Sequence, residues 1–183
     1  VDPRGDGVRE WQALVEQLIA ERGQRLVAYG RMLVTRDGDA EDLVHDAIVK
    51  TFSRNRGIRD LDHAEAYVRR TMPTIAIDRA RSRGARSRAA TRAFQREESM
   101  ADLDAGLDVR AALHSLSPRE RACIVLRFFD DLTVPQIAAH LGLAEGTVKR
   151  YLADASGKLA DELRLDVSVR DKVRVSAPGK EGR

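Results

Sequence analysis

Apolar residues recur along the chain at three- and four-residue intervals, the period of an amphipathic helix. Val8, Trp11, Leu14, Val15, Leu18 and Ile19 form a first stripe, Gly23 marks a break or kink, and Leu26, Tyr29, Leu33 and Val34 form a second. After a short loop at 35–38, Asp39 is a predicted N-cap. Ala40, Leu43, Val44, Ala47, Ile48 and Phe52 then line a third helix. Residues 53–62, SRNRGIRDLD, are polar and read as a loop. A fourth helix starts at Ala64 and runs through Tyr67, Val68, Ile75 and Ile77. Pro73, which lacks a backbone donor, is expected to kink it or start a new turn.

Periodicity lapses between Ala89 and Asp108 and returns at Val109, Ala112, Leu113 and Leu116. Ser117, Pro118 and Glu120 supply an N-cap, a proline at the first helical position and a capping-box glutamate. The helix they open is expected to carry Ile124, Val125, Phe128 and Phe129 into the core and to end at Asp130 and Asp131. The next stretch, LTVPQIAAHLGLAEGTVKRYL at 132–152, reads as two short helices around a glycine turn. Thr133 and Gln136 can cap the first, and Gly142 supplies its left-handed end. In the second, Val148 and Leu152 face inward, leaving Thr147, Lys149, Arg150 and Tyr151 toward solvent. This is a helix-turn-helix whose exposed residues suit base edges in a major groove. That helix is expected to end near Leu163, with a flexible basic tail over 166–183.

With 32 basic and 29 acidic residues the net charge is only +3, so the distribution of charge says more than the total. Glu41, Asp42, His45 and Asp46 make the outer face of the third helix denser in acid than capping requires, which hints at a basic partner surface. Downstream, Arg79, Arg81, Arg83, Arg86, Arg88, Arg92 and Arg96 accumulate with only Asp78 opposing them, a pattern that suits a phosphate backbone. The single cysteine, Cys123, excludes an intramolecular disulfide and sits in an apolar run, as a buried inert thiol would. No run reaches the length of a membrane span and the N-terminus has no apolar signal core, so the expected location is the cytoplasm.

Three segments in order resemble the extracytoplasmic-function (ECF) class of bacterial RNA polymerase sigma factors. DAEDLVHDAIVKTF at 39–52 is similar to the acidic helix of region two, and AYVRRTMPTIAIDRARSR at 66–83 to the segment that follows it. LSPRERACIVLRFFDDLTVPQIAAHLGLAEGTVKRYL at 116–152 is similar to region four. The resemblance implies a transcription initiation factor whose partners are core RNA polymerase and promoter DNA, with an anti-sigma factor as an optional third. It implies that Glu41, Asp42, His45 and Asp46 dock on the polymerase clamp. Tyr67, Thr74, Asp78, Arg79, Arg81, Arg83 and Arg86 would serve the minus-ten element, and Thr147, Lys149, Arg150 and Tyr151 the minus-thirty-five element. Several positions depart from the family pattern: His45 replaces a usual glutamine, Pro73 and Thr74 a usual arginine and asparagine, and Asp154 a frequent arginine. Ala144 lacks the side-chain oxygen that often caps the recognition helix.

The expected fold is all-α: two small helical domains, a region-two-like bundle at 1–88 and a region-four-like helix-turn-helix unit at 108–165, joined by a flexible linker at 89–107. Neither enzymatic activity nor a cofactor is expected. Two other readings compete. A LuxR-type factor, binding DNA without polymerase, shares the C-terminal pattern but not the helical N-terminal half. A metal-dependent hydrolase could use Asp42, His45 and Asp46, but His63, His114 and His140 are scattered singly and build no second ligand set. His140 is expected on the exposed side of its helix.

Overall fold

The computed structural model describes residues 3–36, 38–54, 57, 58, 60–89 and 105–175. Among these there are seven helices and no strand: α1 (Pro3–Leu33), α2 (Gly38–Arg54), α3 (Leu61–Ala89), α4 (Ala105–Ser115), α5 (Pro118–Phe128), α6 (Val134–Leu141) and α7 (Glu145–Val175). The proposed linker residues 90–104 and the end of the tail, 176–183, lie outside the described residues.

Helices α1, α2 and α3 pack on one another around Leu18, Leu26, Leu43, Val68 and Met72, all fully buried. Each such side chain contributes about 1.5–3 kcal/mol relative to an exposed one. This burial explains why Gly23 does not break the first helix. A helical glycine costs only about 1 kcal/mol, less than the flanking Leu18 and Leu26 contribute. Gly30 has a different role. A β-carbon there would stand 3.2 Å from Met72 Cε and 3.3 Å from the Ala40 carbonyl, so glycine lets α1 approach both neighbours. Pro73 is likewise absorbed: α3 continues through it, with the ring fully buried.

The C-terminal helices build two smaller apolar clusters. Cys123, Leu126, Ile137, Ala138 and Val148 join α5, α6 and α7, and Leu113, Leu116, Ile124 and Ala155 join α4, α5 and α7. Burial, with the Glu120 charge nearby, raises the Cys123 thiol to about 11, so it packs as a small hydrophobe. The capping box of α5 forms as expected: Glu120 N–H donates to Ser117 Oγ at 3.4 Å and Ser117 N–H to Glu120 Oε2 at 2.8 Å. Phe128 and Phe129 depart from expectation. They are 63% and 44% exposed, because α5 ends there and the chain turns away from the core. The last helix also outruns its expected end near Leu163, and the expected flexible tail begins as helical backbone through Val175.

Candidate nucleic-acid interface

The turn motif is built from local chemistry. In α6 the Gln136 side-chain oxygen accepts from both the backbone N–H of Thr133, at 2.8 Å, and its hydroxyl, at 2.9 Å. Gly142, at φ 63° and ψ 40°, ends the helix, and Leu143 N–H closes back on the Ala138 carbonyl at 2.9 Å. Ala144 caps α7 with its backbone alone, accepting from Thr147 and Val148 N–H. Val148 is then fully buried against α5 and α6, which points Lys149 and Arg150 outward. Thr147 is half-buried. Tyr151 is less open than expected, because its ring packs on the Ile137 and Val148 cluster, with the Arg150 guanidinium 5.4 Å from its centre.

The acidic face of α2 and the arginines of α3 face each other. Arg79 Nη2 meets Asp46 Oδ2 at 2.5 Å and the Asp42 carbonyl at 3.1 Å, and Arg83 pairs with Asp39. The expectation that only Asp78 opposes the arginines is therefore corrected: Asp78 meets Arg81 at 3.4 Å, and two further acids arrive from a neighbouring helix. Glu41, Asp42 and His45 stay exposed, Glu41 within 3.6 Å of Arg31. Beside them Trp11, Ile19, His45, Ile48, Val49 and Phe52 line an apolar groove of about 450 Å³. Tyr67 is exposed and Thr74 half-buried on α3. Arg86 falls within the α3 backbone, with its side chain outside the described residues. No cluster of three potential metal ligands occurs among the described residues, so Asp42, His45 and Asp46 do not converge.

Sequence reasoning missed the residues that join the two halves. Arg121, only 3% exposed, has no carboxylate partner among the described residues. Its guanidinium donates to the carbonyls of Leu113 (2.7 Å), His114 (3.0 Å), Leu116 (2.9 Å) and, across the seam, Leu33 (3.2 Å). These carbonyls lie at or just past the C-terminal ends of α4 and α1, where unpaired acceptors and the negative dipole end favour a cation. Burial lowers its pKa to about 10, which still leaves it charged at neutral pH. Asp130, in the turn after α5, accepts from Tyr29 Oη at 2.6 Å and from Arg69 Nη2 at 2.7 Å. Arg69 in turn stacks over the Tyr29 ring, 4.6 Å from its centre. Burial first, and Asp130 second, push the Tyr29 hydroxyl far up.

The seam also holds two histidines. His140 is not on an open face. It packs toward the Arg70 backbone, and its Nε2 is buried with no hydrogen-bond partner among the described residues. Burial, with Arg70 adding to it, lowers its pKa. His114 of α4 is lowered for the same first reason, with Arg121 and Arg110 contributing.

Comparison with known proteins gives this geometry a family. The family described as Sigma-70, region 4 matches residues 106–159. The RNA polymerase sigma-E factor of Streptomyces avermitilis is 32% identical over 153 residues, covering 81% of this chain and 84% of that protein. The ECF RNA polymerase sigma factor SigE of Mycolicibacterium smegmatis is 28% identical over 159 residues, covering 81% and 61%. The sigma factor RpoE of Bartonella quintana, whose structure was solved with the anti-sigma factor NepR, superposes with a TM-score of 0.59 at 25% identity, covering 85% of this chain and 96% of that one. The chain belongs to the RNA polymerase sigma factors of the ECF class. It is a transcription initiation factor that directs polymerase to promoters, and the LuxR-type alternative is not favoured. No helix among the described residues is long and apolar enough to cross a membrane.

Proposed function

We propose that the chain docks on core RNA polymerase through Glu41, Asp42, His45 and Asp46, in the cytoplasm and without catalytic activity of its own. In this reading residues 1–88 read and open the minus-ten element, with Tyr67, Thr74, Asp78, Arg79, Arg81, Arg83 and Arg86 facing DNA. Residues 108–165 bind the minus-thirty-five element through Thr147, Lys149, Arg150 and Tyr151. The observation that carries it is the start of α7: Val148 is buried, while Lys149 and Arg150 project from the first two turns, where a recognition helix meets base edges. On α2, exposed carboxylates beside an apolar groove suit a basic amphipathic partner.

An anti-sigma protein is the third partner, by analogy with the Bartonella quintana factor. Transcription in vitro with core polymerase and a randomised promoter library tests the reading. The expected result is enrichment of paired upstream and downstream elements, with upstream selectivity lost on Arg150→Ala. Enrichment that is insensitive to Arg150 would remove the recognition-helix assignment.

A further inference from the structure

Ala76, Ala80 and Arg83 fall on one face of α3 by their spacing. The two alanines leave room that longer side chains would fill, and a pocket of about 370 Å³ lies against them. The end of α1 with its loop, through Arg36, and the corner between α4 and α5, through His114 and Arg121, supply the other walls. At the ~30 Å³ a water occupies, the pocket has room for about twelve, the small end of the range for ligand sites.

The lining is electrostatically one-sided. Three guanidinium groups, those of Arg36, Arg83 and Arg121, share it with the His114 imidazole, and no acidic residue lines it. Arg83 has a counter-ion in Asp39. Arg121 donates only to backbone carbonyls, which orient its guanidinium but leave the net charge uncancelled, and at 3% exposure water does little to screen it. Arg110 adds its field at His114, and Arg31 adds its own at Arg110. His114 also keeps a buried Nε2 with no hydrogen-bond partner among the described residues. Positive charge gathered out of water is costly unless an anion joins it. A carboxylate cancels one such charge, whereas a diphosphate cancels several, and its oxygens match the paired N–H donors of arginine.

We propose that this pocket is a binding site for a small phosphoanion, a diphosphate or the diphosphate end of a nucleotide, held by Arg36, Arg83, Arg121 and His114. The site goes beyond the promoter contacts proposed above and shares only Arg83 with them, so binding is read in the absence of DNA. A ligand that binds the folded chain also raises its melting temperature.

The test uses the full chain with inorganic pyrophosphate as the probe. Titration calorimetry is expected to show one saturable site per chain, and NMR to show shifts at the Arg121 guanidinium and the Thr35 amide. Arg36→Gln should weaken binding about tenfold, as the loss of one charge-assisted hydrogen bond does. Thr35→Glu, which puts a carboxylate on an exposed lining residue, should weaken it further. Arg25→Gln, 63% exposed and outside the pocket, should leave it unchanged. ADP and adenosine separate the sources: ADP binding at least as tightly as pyrophosphate, with adenosine inert, identifies a nucleotide, and weaker ADP binding confines the site to free diphosphate. Thermal melting in parallel identifies a variant that has unfolded, and the NMR map of the unsubstituted chain then decides alone. Absence of saturable binding, equal weakening by Arg25→Gln, or shifts that avoid Arg121 would overturn the site. So would a promoter fragment that binds less well to the pocket variants while pyrophosphate does not bind at all, which would give these cations to the DNA backbone.

Discussion

The arginines of α3 and the basic residues of α7 carry the same charge in opposite circumstances. Arg79 and Arg83 are held by Asp46 and Asp39 of α2, whereas Lys149 and Arg150 project into solvent from a helix that Val148 anchors. A phosphate approaching Arg79 has to displace a carboxylate. One approaching Lys149 displaces only counterions and water. Clustering of like charges in a sequence therefore does not measure the charge available to a polyanion. The acids of α2 divide in a similar way: Asp39 and the half-exposed Asp46 pair with arginines of α3, while Glu41 meets Arg31 of α1 and Asp42 faces out.

The largest expected effect separates these acids. Glu41→Lys with Asp42→Lys should weaken core polymerase binding by a few kcal/mol, with the melting temperature held. Asp46→Lys should weaken it as well and in addition lower the melting temperature, because it sets a lysine against Arg79. Equal loss of core affinity from both variants at unchanged melting temperature would erase the division.

Next in size is Arg150→Ala, which should cost about 1–3 kcal/mol on the preferred upstream element and less on a scrambled one. Binding titrations on the two templates compare the losses directly. A smaller difference should appear in salt titrations of open-complex formation. Neutralising Arg81, which is 73% exposed and only loosely paired with the exposed Asp78 at 3.4 Å, should reduce the slope by about 0.7–0.9. Arg83→Gln should reduce it less, since Asp39 already serves as its counterion. Identical slopes for the two variants would show that the internal pairing makes no difference.

The smallest effect is one of pH. Burial depresses His140, which faces Arg70 and Asp130, and His114, which faces Arg121 and Arg110. Their neutral forms fit the seam, so its stability is complete above the ordinary histidine value of 6.5 and declines as pH falls below it. Melting temperature should drop over that acid range, and His140→Gln should make the drop shallower.

The turn motif was legible because each of its parts is local. Thr133 with Gln136, the left-handed Gly142 and the apolar Val148 lie within a few turns, and each acts on its neighbours in sequence. The seam was not, because Asp130 finds Tyr29 across 101 residues and Arg69 across 61, through polar atoms that leave no periodic trace. Arg121 did leave one. It stands three residues before Ile124 and four before Val125, on the stripe that goes inside, and only its charge argued for the surface. Phe128 continues that stripe and is exposed, because a helix end can turn a residue away from a core that its spacing points to. The acids opposing the arginines were visible as residues, but nothing in the sequence placed α2 alongside α3.

The Arg121 contact also sets an order of events during synthesis. Its bond to the Leu33 carbonyl spans 88 residues, and at the usual 5–20 residues per second that is roughly 4–18 seconds of translation. For that interval the end of α1 emerges from the ribosome without its cation, and Arg69 of α3 waits across a shorter span, 61 residues, for Asp130. The nascent N-terminal helices thus pass through an uncovered period that the finished chain has left behind.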